Sequence, residues 1–371
     1  MSNAQARAPL ASVLLPVHNG GRFVREALDS LIAQSARDLE IVVVNDGSTD
    51  ATASILDDFA RRDSRIRIVN QPQQGLVAAL NRGLAECRGC YVARMDADDI
   101  AHPERIGRQL AYLLACPEVV AVGCQIAIID SSGKILRKGH YPIGQASCRR
   151  HLLGRSSPLC HPAVLFRLQA VREVGGYRSA YADAEDYDLW LRLGQIGEID
   201  NLPATLLQYR VHGGNVTILR GERQARHSAL AFVAASVRAE DGRDLTPVEG
   251  WPSAQNEIES MLPDELRRAQ FRHVYFRSLV LNGAISDAVV FRGVCDALPA
   301  LVRDANRYPA AEWCDIAFTL TRAAMQLHRA GYSREACSVL KESFLHAPMT
   351  SLREALGILR RLLDQSLRTG S

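Results

Sequence analysis

The apolar positions of the first half of the chain switch between two periods. Ser12–Val17 (SVLLPV) is a short apolar run, broken by Asn19-Gly20-Gly21. Phe23, Ala27, Leu28, Leu31 and Ile32 then recur at helical spacing. The β-branched run EIVVVND, ending at Asp46, has the signature of a strand buried on both faces. Ser48 and Thr49 offer caps for a helix over 51–62. RIRIVNQ reads as a strand, GLVAALNRGLAEC as a helix, YVARMD as a strand and HPERIGRQLAYLL as a helix. Strand–helix repetition at this spacing predicts an α/β fold, a mostly parallel sheet with helices on both faces.

Ligands of such sheets sit at the carboxyl ends of the strands. Pro16 to Asn19, Asn45 to Gly47 and Asp96 to Asp99 all fall at those ends, so three polar clusters are expected to meet in one crevice. Asp96, Asp98 and Asp99 pose a physical problem there. Crowded carboxylates repel, and desolvation strengthens the repulsion. They stay ionised together only around a cation, and hard divalent ions such as Mg2+ and Mn2+ prefer oxygen ligands. Asp99, nearest the following helix, is read as that helix's cap, leaving Asp96 and Asp98 as ligands.

Beyond residue 118 the parallel pattern changes. Val119–Asp130 and KILRKGHYP read as two strands joined by a turn at Ser131 to Lys134. Arg167 to Val174 reads as a strand end and a short helix. EDYDLWLRL predicts a helix with Asp186, Leu189, Trp190 and Leu193 on one face. A carboxylate heading an apolar face gains proton affinity on burial, which suits a base. Asp183 and Asp188 fit an acidic first turn that complements the helix dipole.

Four stretches, in order, resemble the family-2 glycosyltransferases: SVLLPVHNGGRFVREALDSLIAQSARDLEIVVVNDGSTDAT, ALNRGLAECRGCYVARMDADDIAHPERIGRQL, EDYDLWLRL and YRVHGGNVT. They span Ser12 to Thr217. The resemblance implies a GT-A-type fold and transfer of a sugar from a nucleotide-diphosphate sugar, UDP favoured, to a hydroxyl of a glycan or lipid-linked acceptor. It implies that Pro16, Val17, His18 and Asn19 line the base pocket and that Asp46 accepts from the base. Asn81 and Arg82 would lie near the donor, with Asp96 on the ribose or the metal. Asp98, Asp96 and His212 would hold Mn2+ or Mg2+. Asp186 would be the general base of an inverting displacement, with Glu185 positioning or binding the acceptor. His161 and Trp190 are acceptor-side candidates; a turn residue and a core residue are the alternatives. Two other readings are a sugar-phosphate nucleotidyltransferase and a non-catalytic protein acting through its helical tail. The first wants a Gly-rich basic loop that PVHNGGRF matches poorly. Intact Asp98, Asp186 and His212 oppose the second.

The pattern divides the chain into a catalytic domain over 1–219, a helix and linker over 220–255 and an all-helical region over 256–371, in keeping with roughly 150 residues per domain. The final helix places Leu352, Leu356, Leu359 and Leu363 on one face amid arginines. It suits packing against neighbouring helices or lying on the inner membrane surface. Net charge of +3, from 44 basic and 41 acidic residues, argues against nucleic acid as a partner. Nine scattered cysteines, without a signal-like or membrane-spanning run, suggest the reducing cytoplasm. Cys87-Arg-Gly-Cys90 has no second ligand pair for zinc and is read as chance spacing. Oligomeric state leaves no mark in the sequence.

Overall fold

The apolar runs become strands, and the helical stripes become the helices that cover them. A computed structural model of the chain describes residues 8–153, 156–212, 221–247, 251–252 and 255–281. It divides into two compact units, Met1–Asn215 and Val216–Ser371.

The described part of the first unit holds a nine-stranded sheet ordered β3-β2-β1-β4-β8-β6-β9-β5, with β7 paired to β6. Strands β1 (Ala11–Val17), β2 (Leu39–Asp46), β3 (Ile66–Gln71) and β4 (Tyr91–Arg94) are mutually parallel. Every residue of β1 and β2 is buried, as their unbroken apolar character requires. Val13, Leu15, Ile41 and Val43 share a core with α1 (Val24–Ile32), α2 (Thr52–Arg62) and α4 (Arg105–Ala115). The alternate residues face the other way: a Cβ on Gly83 of α3 (Leu76–Glu86) would meet Leu14 and Val44.

The second half of the sheet is mixed. Strands β6 (Val119–Ile129) and β7 (Ile135–Gly139) form the expected hairpin. Strand β8 (Leu165–Arg167) runs antiparallel between β4 and β6 and leads into α6 (Leu168–Glu173). Strand β9 (Glu198–Arg210) runs parallel to β6, and β5 (Ile100–Ala101) adds antiparallel to β9. The pairing of β9 with β6 shifts register around Cys124 and Gln125, opposite Pro203; proline within a strand is tolerated at such irregularities.

Two capping expectations are corrected. Asp50, not Ser48 or Thr49, accepts the Thr52 N–H at the start of α2 (2.9 Å). Ser48 and Thr49 instead tie the β2 loop to Asn19. Asp99 does not cap α4, whose N-terminal cap is Glu104; it lies wholly inside the protein. In the second unit, helices Gly221–Asp241 and Glu265–Leu281 pack together, and Phe271 and Tyr275 stack at 5.9 Å. The final leucine-faced helix lies outside the described residues. Among the described residues no helix is long and apolar enough to cross a membrane.

The close approach of the Cys87–Cys90 turn to β1 yields a stability prediction. A Cβ on Gly89 would come within 2.6 Å of the backbone of Ala11 and Ser12, which cannot yield as a side-chain end can. Gly89→Ala should therefore cost about 1–3 kcal/mol in urea unfolding, the range for overpacking. An unchanged midpoint would contradict this packing.

Candidate active site

The carboxyl ends of β1, β2 and β4 converge as expected. Pro16 and Val17 are buried at the end of β1, and His18 and Asn19 are exposed just beyond it. Asn19 has φ 52°, a conformation that its short polar side chain tolerates. Its amide oxygen accepts the Thr49 N–H (2.8 Å), and its own N–H donates to Ser48 (3.0 Å). His18 Nδ1 lies 2.7 Å from the Asp46 carbonyl. A Cβ on Gly20 would sit 3.7 Å from Ala97, so the β1 loop borders the Asp-Ala-Asp turn.

Asp46 has a fuller role than the sequence suggests. Its Oδ1 accepts from the Gln71 side chain (2.7 Å) and the Gln74 N–H (2.8 Å), and its Oδ2 accepts the Gly75 N–H (2.8 Å). It holds the loop after β3 closed, leaving little of its acceptor capacity for an incoming ring N–H.

Asp96, Asp98 and Asp99 each offer a carboxylate oxygen within 4.8 Å of the others. Asp96 is held by Arg94, a side chain only 2% exposed, through hydrogen bonds of 2.8 and 2.7 Å. Asp98 Oδ2 lies 2.9 Å from His212 Nε2. Asp99 Oδ1 accepts the Arg210 N–H (2.9 Å), while its Oδ2, fully buried, has no hydrogen-bond partner among the described residues. Burial first, then the charge of Asp96, raises the proton affinity of Asp98. Burial and the charges of Asp96 and Asp98 raise that of Asp99 well above the carboxylate range. A partnerless buried oxygen beside two further carboxylates fits a divalent cation. Asp96, Asp98 and His212 are thus brought together, and Asp99, read as a cap, joins them.

The second carboxylate group heads α7 (Glu185–Leu193). Glu185 is buried; burial and then the charge of Asp186 push its pKa up to about 7. Asp186 is half-buried. Desolvation raises its proton affinity, against the opposing hydrogen bond from the Tyr187 N–H (2.7 Å) and the charge of Arg94. His161 Nδ1 lies 3.9 Å from Glu185, and its Nε2 lies 2.8 Å from the Tyr177 hydroxyl. Burial, then the charge of Arg94, keeps His161 neutral. Arg94 thus acts on both carboxylate groups.

The structure gives surroundings to four further residues named from the sequence. Trp190 has no exposed surface and meets His161 edge to face at 5.9 Å, so it belongs to the core rather than to an open sugar-stacking face. Asn81 clamps the backbone of Tyr177 with both ends of its amide (2.8 and 3.0 Å), and Arg82 is exposed and pairs with Glu86. Asp188 lies in the first turn of α7 as read, and it is also wholly buried between Arg178 and Arg192, partners the sequence did not indicate. The sequence reading missed Arg94 and Arg210. An arginine inside the otherwise apolar YVARM was the available signal for Arg94, because a buried guanidinium requires a partner.

A profile of Glycosyl transferase family 2 matches residues 12–175. An uncharacterized glycosyltransferase of Haemophilus influenzae is 33% identical over 226 residues, covering 58% of this chain and 70% of its own. The amylovoran biosynthesis glycosyltransferase AmsE of Erwinia amylovora is 34% identical over 215 residues, covering 57% and 79%. Among solved structures, S. aureus TarS 1-349 in complex with UDP-GlcNAc aligns with TM-score 0.57 at 16% identity, covering 91% of this chain and 93% of that one. The mannosyltransferase PcManGT from Pyrobaculum calidifontis, in complex with GDP-Man and Mn2+, aligns with TM-score 0.53 at 18% identity, covering 91% and 88%. These two likenesses concern the fold.

Two predictions follow from the buried charges. Removing Asp188 strands two arginines, so Asp188→Ala should cost roughly 3–5 kcal/mol in denaturant unfolding; a cost under about 1 kcal/mol would contradict the cluster. Glu185 holds a proton in the folded state up to about pH 7, whereas the unfolded chain releases it near 4.5. Its stabilising contribution is therefore present at low pH and lost as pH rises through about 7. Asp98 and Asp99 act in the same direction, whereas His161, neutral in the fold but protonated below about 6.5 when unfolded, opposes them over the acid part of the window. Glu40, Asp50 and Asp63, held below their ordinary range, act only under more acidic conditions. Without added metal, Tm should fall from about pH 5 to about pH 8, and Glu185→Gln should flatten the fall. A Glu185→Gln variant whose Tm follows the wild-type pH dependence across that window would overturn the assignment.

Proposed function

The chain belongs to glycosyl transferase family 2 and is a glycosyltransferase; from that premise we propose that it transfers a sugar from a UDP-sugar to a hydroxyl of a glycan or lipid-linked acceptor, with inversion and with a divalent cation. The observation that carries this reading is the pairing of two carboxylate groups around Arg94. One has the ligand chemistry for a cation and a diphosphate, and the other has the raised proton affinity of a base.

Asp96, Asp98 and His212 would hold the cation, with Asp99 beneath them. When bound, such an ion supplies Lewis-acid neutralisation of charge on the departing diphosphate. Pro16, Val17, His18 and Asn19 border the space for the base, whose ring N–H would take the remaining acceptor capacity of Asp46. Arg94 orients Asp96 by holding both its oxygens. Asp186 accepts the proton of the acceptor hydroxyl as that oxygen attacks the anomeric carbon. Glu185, next to it, holds the acceptor, and neutral His161 backs Glu185. A base working opposite the leaving group gives a β-linked product from an α-linked donor.

The UDP-GlcNAc held by TarS and the GDP-Man and Mn2+ held by PcManGT belong to those proteins. They make UDP and GDP the two nucleotides to compare. Placement in polysaccharide assembly draws on the name of the Erwinia amylovora relative. We further propose the cytoplasm as the site of action.

Isothermal titration should show UDP binding that requires Mn2+ and is lost in Asp98→Ala. Asp186→Asn should retain that binding and lose activity by about 10²–10⁴, the usual contribution of a general base. Metal-independent UDP binding, or a fully active Asp186→Asn, would sink the reading.

A further inference from the structure

The chain's positive charge is not spread evenly. Residues 131–172 contain eight lysines and arginines and no aspartate or glutamate, more than enough to account for the net charge of +3. Two of the chain's three lysines lie here, Lys134 just before β7 and Lys138 within it. On that strand Ile135, Leu136, Arg137 and Lys138 are all exposed, because β7 pairs only with β6 among the described residues. Ile135 and Leu136 are 60% and 54% exposed. Large aliphatic side chains this open on consecutive strand positions project to both faces of the hairpin.

Lysines on an edge strand are a known guard against edge-to-edge pairing. That explains Lys134 and Lys138 but not two aliphatic side chains in water between them. The combination of an apolar tip and a basic collar suits a layer of anionic lipid headgroups over acyl chains. A second copy of the chain is a poor occupant, because pairing β7 with itself would bring six cations together. A soluble anionic polymer would satisfy the charges and leave Ile135 and Leu136 wet. Further along the same run, Ile143, Arg149, Arg150 and Leu153 are also exposed.

We propose that the β7 hairpin, Lys134–Lys138, is a docking surface for an anionic membrane, with Ile135 and Leu136 entering the headgroup layer and Lys134, Arg137 and Lys138 held at the phosphates. This surface lies outside the candidate active site and does not depend on the sugar-transfer reading. It lies in the first unit, so the leucine-faced helix at the chain's end is not required for it.

Co-sedimentation of the full chain with phosphatidylcholine vesicles, with and without phosphatidylglycerol, tests the proposal. Binding should require phosphatidylglycerol and weaken with salt. The K134Q/R137Q/K138Q variant should bind about a hundredfold more weakly, at roughly fivefold per charge. The I135S/L136S variant should also lose binding, with the circular dichroism melt of both variants unchanged. Leu136→Trp should blue-shift its emission only with anionic vesicles, which reports insertion in an otherwise intact hairpin. The proposal is overturned if the full chain ignores anionic vesicles or if both variants bind as the wild type does. It is equally overturned if only the charges matter and heparin competes fully, or if the variants instead abolish a dimer.

Discussion

Carboxylates brought together in a desolvated place repel, and everything around Asp96, Asp98 and Asp99 answers that repulsion. Arg94 spans both oxygens of Asp96 from inside the sheet. His212 meets Asp98, and the Arg210 backbone meets Asp99. The Arg210 side chain, buried to 1% exposure, donates to the Asp98 carbonyl (2.8 Å) and pairs with Glu26 of α1 (2.8 Å). Phe23 sits beneath it, 4.6 Å from its guanidinium carbon and 5.2 Å from the His212 ring. Even so, Asp98 and Asp99 keep raised proton affinities, and one oxygen of Asp99 has no partner among the described residues. The protein supplies enough positive charge to hold the turn in shape, but not enough to satisfy it.

The two halves of the sheet divide the work. The parallel half supplies loop ends for a nucleotide, tied to one another by Asn19, Ser48 and Thr49 and closed below by Asp46. The mixed half brings Glu185 and Asp186 within reach of the charge of Arg94, braced by the Asp188 ion pairs and by the Asn81 clamp on Tyr177. A single buried cation between two acidic groups couples the charge state of one to the proton affinity of the other.

Much of the first half was legible because a strand buried on both faces has no polar positions to confuse its period, as in β1 and β2. Strand β9 was harder: Pro203 argues against a strand interior, and only a register shift, visible in three dimensions, admits it. Strand β5, two residues long, carries no periodic signal. The aspartates divide the same way. Asp98 and Asp186 were singled out through their motifs, whereas Asp99 and Asp188 were read as a cap and a first-turn acid from local spacing alone. Their partners, Arg210 at a separation of 111 residues and Arg178 at 10, are set by sheet order and loop path rather than by neighbours in sequence. Arg94 was legible in principle, as a cation stranded in an apolar strand, but its partner's identity was not.

The central proposal is a divalent cation held at the aspartate turn, where burial and mutual charge raise the proton affinity of Asp98 and Asp99. The direct measurement is the number of protons released when Mn2+ binds, obtained by calorimetric titration near pH 6 in buffers of different ionisation enthalpy. Saturable binding with net proton release, reduced in Asp99→Asn, is the predicted result. Saturable binding with no proton release, or no Mn2+ binding even with UDP present, would contradict it.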